Sequence, residues 1–125
     1  MKKKLAFFFG FAVLIVVLLF ATNAYAEPSA DILPTKLGNS NTYYSYSKST
    51  KTLTVSGEGA TPDFTNTSGD TSSQPWFSWR SDGSIEHIVV KDGVTSLGNY
   101  FFFGVHCDDF SVSDTVESFG GYSFS

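Results

Sequence analysis

The sequence is short of charge. Asp, Glu, Lys and Arg supply 16% of its 125 residues, where an ordinary soluble domain has about a quarter. Cations are scarcer than anions, eight Lys and Arg against twelve Asp and Glu, for a net charge of −4. Three of those cations are Lys2, Lys3 and Lys4. Cleavage after Ala26 would leave five basic and twelve acidic groups, a net −7. No basic cluster remains, so nucleic acid and anionic membrane surfaces are not expected partners. Cysteine occurs once, as Cys107. That excludes an intramolecular disulfide and any metal site built only from thiolates. An exported domain without disulfides must hold together by packing. A phosphate-cradling glycine loop, a Gly-x-Ser-x-Gly elbow and a His-Glu-x-x-His helix are all missing, and there is no second long apolar run.

What is abundant is aromatic and hydroxylated. Aromatics reach 17% and hydrophobics 42%, too much for a disordered chain. With so little charge, the polar surface falls to Ser, Thr, Asn and Gly, a composition that suits strands and turns. At the N-terminus a positive n-region precedes an apolar run, Leu5–Ala21, and the small-x-small triplet Ala24-Tyr25-Ala26. This reads as a secretory signal peptide over residues 1–26. The alternative is an uncleaved anchor, since 17 residues is the short end of a membrane span. Both readings place the rest outside the cytoplasm, secreted or at the cell surface, with membrane contact only through such an anchor.

Residues 27–42 have no clear period and read as a lead-in or linker, either a tether or a first edge. Tyr43–Ser47 and Lys51–Gly57 flank a polar turn, with Lys51, Leu53 and Val55 alternating against Thr52, Thr54 and Ser56. That is a hairpin with one buried face. It opens a β cap region over residues 43–84. Ala60–Gln74 reads as a loop, and Trp76 and Trp79 as aromatics closing the N-terminal end of a core. The competing role for them is stacking on a carbohydrate.

A repeat begins at Ile85. A shift of 22 places Ile85–Phe103 over Cys107–Ser125 with seven of nineteen positions identical: Val90/Val112, Asp92/Asp114, Val94/Val116, Ser96/Ser118, Gly98/Gly120, Tyr100/Tyr122 and Phe102/Phe124. Chance pairing gives roughly one. Ile85-x-x-Ile88-x-Val90 has leucine-rich-repeat spacing, and a period in the low twenties belongs to such solenoids. Residues 88 and 90 share one strand face and point inward. Asp92-Gly93 turns the chain, Val94 and Leu97 return inward, and Gly98 is expected to supply a tight or left-handed backbone. Tyr100, Phe102, Tyr122 and Phe124 are expected in the core.

At Asp92–Tyr100 with Phe102 and Gly104, and again at Asp114–Tyr122 with Phe124, the chain resembles the BspA-type leucine-rich repeat family of secreted and surface proteins. Lys51–Ala60 and Pro75-Trp76 look like the cap that precedes such repeats. The resemblance implies a mainly β fold: an N-terminal β-hairpin cap followed by a short leucine-rich-repeat solenoid of about one and a half 22-residue repeats over residues 85–125. It departs from the family at Phe101, where a small residue is usual, so Phe101 is expected at the surface or to force repacking. It departs also at Gly104–Cys107, one residue short, with Cys107 on the Leu-like position. The second unit breaks off at Ser125, which implies a truncated, partial or degenerate copy.

Candidate sites are few. His106-Cys107-Asp108-Asp109 is the one run of ligand-type residues, but neighbours on an extended chain point oppositely, so no metal or Cys–His nucleophile is assigned. Asp63 and Asp70 do not match an oxygen-ligand calcium loop, and Asn66-Thr67-Ser68 is a glycosylation sequon. No cofactor is expected. The face that points away from the core should carry Glu86 or His87, Val89 and Lys91, then Asp108 or Asp109, Ser111 and Ser113. The resemblance implies a non-enzymatic module for surface recognition or adhesion, with a protein or other cell-surface ligand. The alternative is a fragment of a larger surface protein, or of an enzyme with appended repeats, without independent function.

Overall fold

The computed structural model describes residues 27–67 and 73–124. The signal segment, Ser68 of the sequon and Asp70 lie outside them. The chain is mainly strand with almost no helix. In order come β1 (Ile32–Lys36), β2 (Thr42–Ser47), β3 (Thr52–Gly57), β4 (Gly59–Ala60), a single 3-10 turn (Phe77–Trp79), β5 (His87–Val90), β6 (Val94–Leu97), β7 (Asp109–Val112) and β8 (Ser118–Phe119). They form a five-stranded sheet, β1-β2-β3-β5-β7, and a three-stranded sheet, β4-β6-β8.

The β2–β3 hairpin forms where the alternation predicts it. Its partners run from Thr42↔Gly57 to Ser47↔Thr52. Lys51 closes the turn at φ +53°, a left-handed residue typical of four- and five-residue hairpin loops. Leu53, Val55 and Tyr46 are buried on one face. Residues 32–36 of the lead-in form β1, antiparallel to β2 with a register shift between Ile32 and Thr35. Pro34 has no amide hydrogen to pair, so only an edge strand accommodates it.

From β3 onward the five-stranded sheet is parallel. Thr52–Val55 lie beside His87–Val90, which lie beside Asp109–Val112. The second pairing has an offset of 22, and so has Ser96↔Ser118 in the smaller sheet. The repeat visible in the sequence is therefore the register in which the strands stack. Ile88, Val90, Val94, Leu97 and Phe102 are buried. In the layer above them Phe110, Phe119 and Phe124 are 43%, 53% and 40% exposed, because no described segment covers that layer.

Three local expectations are corrected. Gly98 does not take a left-handed backbone. A β-carbon on it would lie 2.2 Å from the Pro62 carbonyl oxygen, and one on Gly120 would lie 2.5 Å from Asn99 Oδ1. The glycine is needed because adjacent turns touch there. The left-handed position falls two residues later, on Tyr100 (φ +57°) and Tyr122 (φ +58°). That turn throws both tyrosines outward, where they stack on each other at 5.2 Å; Tyr122 is exposed and Tyr100 half-buried. The inward place passes to Phe101, which is fully buried, as is its counterpart Ser123. Phe101 needs no surface because the cap receives it. It stacks on Phe64 at 5.4 Å and meets Trp76 at 5.3 Å.

Ala60–Gln74 is more than a loop. β4 pairs with β6, and the residues after it continue the layer. The Thr61 N–H donates to the Ser96 carbonyl (3.0 Å) and the Phe64 N–H to that of Asn99 (2.8 Å). The Gly98 N–H donates to Thr61 Oγ1 (2.8 Å), and the Asn99 N–H to Asp63 Oδ1 (2.8 Å). Asn99 repeats the device one turn on, its Oδ1 accepting the Gly121 N–H at 2.7 Å. Trp76 is buried at the centre, against Tyr44, Phe64, Phe101 and Phe102 at 5.3–5.9 Å. Such contacts are each worth about 0.5–1.5 kcal/mol beyond area burial. Its indole N–H has no hydrogen-bond partner, a cost of about 1–3 kcal/mol that the packing must exceed.

Gln74 locks this cap onto the first repeat. It is buried, and its Nε2 lies 2.9, 2.7 and 3.1 Å from the carbonyl oxygens of Tyr100, Phe101 and Phe103. Its Oε1 accepts from Arg80 Nη1 at 3.0 Å, and the Arg80 guanidinium lies 3.9 Å over the Phe77 ring. A left-handed turn leaves carbonyls pointing inward, and Gln74 answers them. Gln74→Leu should keep the volume and orphan those carbonyls, lowering the unfolding free energy by about 2–4 kcal/mol. Urea denaturation reads this out; an unchanged midpoint would mean that water replaces the amide without loss.

Candidate recognition face

The outward side of the five-stranded sheet is built by simple alternation. Because Ile88 and Val90 turn into the core, His87, Val89 and Lys91 turn out. On β7 the same parity exposes Asp109 and Ser111, and half-buried Ser113 follows on the same side just past the strand. Cross-strand pairing then arranges these residues in rows. His87 stands beside Thr52 on one side and Asp109 on the other, and Val89 stands between Thr54 and Ser111. The sequence left Glu86 or His87, and Asp108 or Asp109, open. The strands begin at His87 and Asp109. Glu86 and Asp108 sit one residue before them, where Glu86 approaches Lys51 at 3.9 Å and the Asp108 N–H donates to the Glu86 carbonyl at 2.7 Å.

The sequence reading missed half of this face. β2 and β3 add Tyr43, Ser45, Ser47, Thr52, Thr54 and Ser56, paired in register, and β1 adds Lys36 beside Tyr43. The alternation in β3 was legible and marked Thr52, Thr54 and Ser56 as outward. What was not legible was that β3 pairs with β5, 35 residues further on, which makes hairpin and repeats one surface.

The run His106–Asp109 does not converge. The His106 N–H donates to the Arg80 carbonyl at 2.9 Å. Cys107 is half-buried, and burial, followed by Asp109 and Asp108, pushes its thiol up, away from the reactive thiolate. Asp109 instead meets His87, with Nδ1 2.9 Å from Oδ2 and 3.0 Å from Oδ1. Among the described residues no three His, Cys, Asp or Glu side chains gather to hold a metal ion. Asp63 is occupied by the Asn99 amide. A shallow depression of about 300 Å³ is lined by Glu27, Lys51, Asp82, Gly83 and Ser84. Its Asp82 carboxylate is taken up by the Ser84 N–H (2.9 Å) and hydroxyl (2.5 Å).

The hydrogen bond that His87 donates to Asp109 raises the His87 pKa above its ordinary 6.5; desolvation opposes this, and the charges of Asp109, Glu86 and Asp108 add to the rise. A raised folded-state pKa stabilises the fold fully below the unfolded value and loses that contribution as pH rises through the folded one. The pin between β5 and β7 therefore holds below about pH 6.5 and relaxes above the shifted value. An NMR titration should find His87 titrating above the ordinary histidine value, and Asp109→Asn should bring it back down; a His87 titration unmoved by Asp109→Asn would remove the pin. The outward parity has its own test. Val89→Asp with Ser111→Asp should leave the far-UV circular dichroism unchanged, because neither side chain enters the core, whereas Ile88→Asp should unfold the chain.

No protein-family model and no curated protein matches this chain. Among solved structures, a crystal structure of a leucine-rich repeat protein from Eubacterium ventriosum is similar, with a TM-score of 0.59 and 25% sequence identity over 78% of this chain. The match covers 24% of that protein, so this chain spans about a quarter of its length. The likeness is of the leucine-rich-repeat type, and it extends over cap and repeats alike rather than over the repeats alone.

Proposed function

We propose that this chain is an exported, non-enzymatic leucine-rich-repeat module of the BspA type, used for recognition or adhesion at a cell surface. In this reading the two sheets are opposite walls of a short solenoid and the five-stranded sheet presents the binding surface. The observation that carries it is the continuity of that sheet: four strands paired in register with β1 on their edge, and no outward position from Tyr43 to Ser113 buried by the described residues. The likeness to a leucine-rich repeat protein supports a role in protein interaction. Five strands about 4.8 Å apart and four to six residues long offer a face of about 400 Å², half of what one partner buries in a standard protein complex. Binding by one copy is therefore weak, and adhesion would rely on many copies displayed together.

A second reading has one observation in its favour. Phe110, Phe119 and Phe124 occupy positions that are buried one layer below, as they would be within a longer repeat array. In that case the recognition surface extends beyond these strands, and a larger surface protein or an enzyme carries them.

Expression of the full chain in a secreting bacterial host tests the proposal. The exported product should begin at Glu27 by mass spectrometry and, coupled to fluorescent beads, should bind intact cells. Val89→Asp with Ser111→Asp should reduce bead capture about tenfold while the fold is retained. Retention of the chain in the cytoplasm, or capture indifferent to the outward substitutions, would sink the proposal.

A further inference from the structure

We infer that the β2–β3 half of the outward face is a binding site for a neutral polysaccharide, with Tyr43 as the stacking platform. The inference rests on the recognition reading above and names its ligand class. Tyr43 is the one large aromatic on that side of the sheet, 37% exposed, whereas Tyr44 and Tyr46 pack inward on Trp76 and Trp79. Ser56 stands directly beside Tyr43, and Ser45 stands beside Thr54 in the next row. Among the described residues the hydroxyls of Ser45, Thr54 and Ser56 have no protein partner. Of the other hydroxyls on the face, Ser47 is engaged with Ser49, Thr52 with Thr50, and Ser113 with Asp92 and Thr115; Ser111 is also free, two strands from Thr54 with Val89 between them.

A hydroxyl both donates and accepts. A patch of free hydroxyls is matched by a ligand that is itself hydroxylated, which can replace each surface water bond for bond. An exposed tyrosine ring adds the apolar face on which a sugar ring can lie. The charge around the patch is balanced. Lys36 lies beside Tyr43, and Lys91 follows Val90 beside Ser56; neither forms an ion pair among the described residues, and both are exposed. Glu58 and Asp92, exposed next to Ser56–Gly57 and Lys91, offset them. The site is thus neutral on a chain of net −4, an acidic balance that disfavours polyanions. Protein partners call for a cluster of aromatic or Arg anchors at the centre of an interface. This half of the face has Tyr43 alone.

Affinity electrophoresis of the secreted full chain tests this, in native gels cast with dextran, laminarin or mannan as neutral polymers and with polygalacturonate as the acidic one. At least one neutral polymer should retard the protein, and high salt should not reverse it. Tyr43→Ala, and separately Ser45→Ala with Thr54→Ala and Ser56→Ala, should weaken retardation about tenfold with circular dichroism unchanged. Thr95→Ala, on the opposite sheet, should have no effect. Retardation by polygalacturonate alone, abolished by Lys36→Gln with Lys91→Gln, would overturn the assignment in favour of charge recognition. Bead capture by cells without retardation in any neutral polymer would also overturn it, and would leave a protein partner under the broader reading. Absence of cell capture altogether would refute the broader reading itself.

Discussion

Every turn of this molecule depends on register. A strand of four residues with two inward side chains cannot bury its own edges, so it is stable only when its homologue lies directly on it. The 22-residue offset meets that demand at every level at once. Ile88 lies against Phe110, Leu97 against Phe119, Tyr100 on Tyr122 and Phe102 on Phe124. A slip of one residue would turn both inward rows to solvent. The same constraint dictates Gly98 and Gly120, where adjacent turns approach so closely that a β-carbon has no room.

A stack also needs a first layer, and here the first layer is not a repeat. The hairpin supplies one wall through β3, and residues 59–64 supply the other through β4, Thr61 and Phe64. Between them the cap presents Trp76, Phe64 and Gln74 to the turn at Tyr100–Phe103. The aromatics fill the volume, and the glutamine satisfies carbonyls that a left-handed turn leaves pointing inward. This division of labour explains why Phe101 is large where the sequence resemblance led us to expect a small residue. The first repeat packs on aromatics. The second packs on the first, and at the equivalent position it carries the buried Ser123.

The outward face follows from the inward one. Once Leu53, Val55, Ile88 and Val90 are committed to the core, alternation sends Thr52, Thr54, His87, Val89 and Lys91 to the other side without further instruction. The low charge of the chain then acquires a meaning. The β2–β3 half of that face, Ser and Thr with one Tyr, carries no charge of its own and stays hydrated through its hydroxyls. The His87–Asp109 pair ties two strands of that face together across the 22-residue step, so the acidity of the surroundings tunes how firmly the last strand is held.

Much of this was legible in the residues alone. Alternation in Lys51–Gly57 placed the hairpin, and self-similarity placed β5, β6, β7 and β8 and named Val89, Ser111 and Ser113 as outward. These features are local or repeat at a fixed step, so a linear reading reaches them. Four things were decided only in three dimensions. β4 is a two-residue strand whose partner is more than thirty residues away, too short to show a period. The left-handed turn sits on tyrosine rather than glycine, because stacking of Tyr100 on Tyr122 and inward packing of Phe101 offset the strain. The buried Gln74 is set by carbonyls it meets 26 to 29 residues later. The join of β3 to β5 merges hairpin and repeats into one face. The sequence by itself determined period, parity and the apolar rows, since those are properties of consecutive side chains. The tertiary structure decided which backbone groups meet across turns, since that depends on distances no linear pattern records.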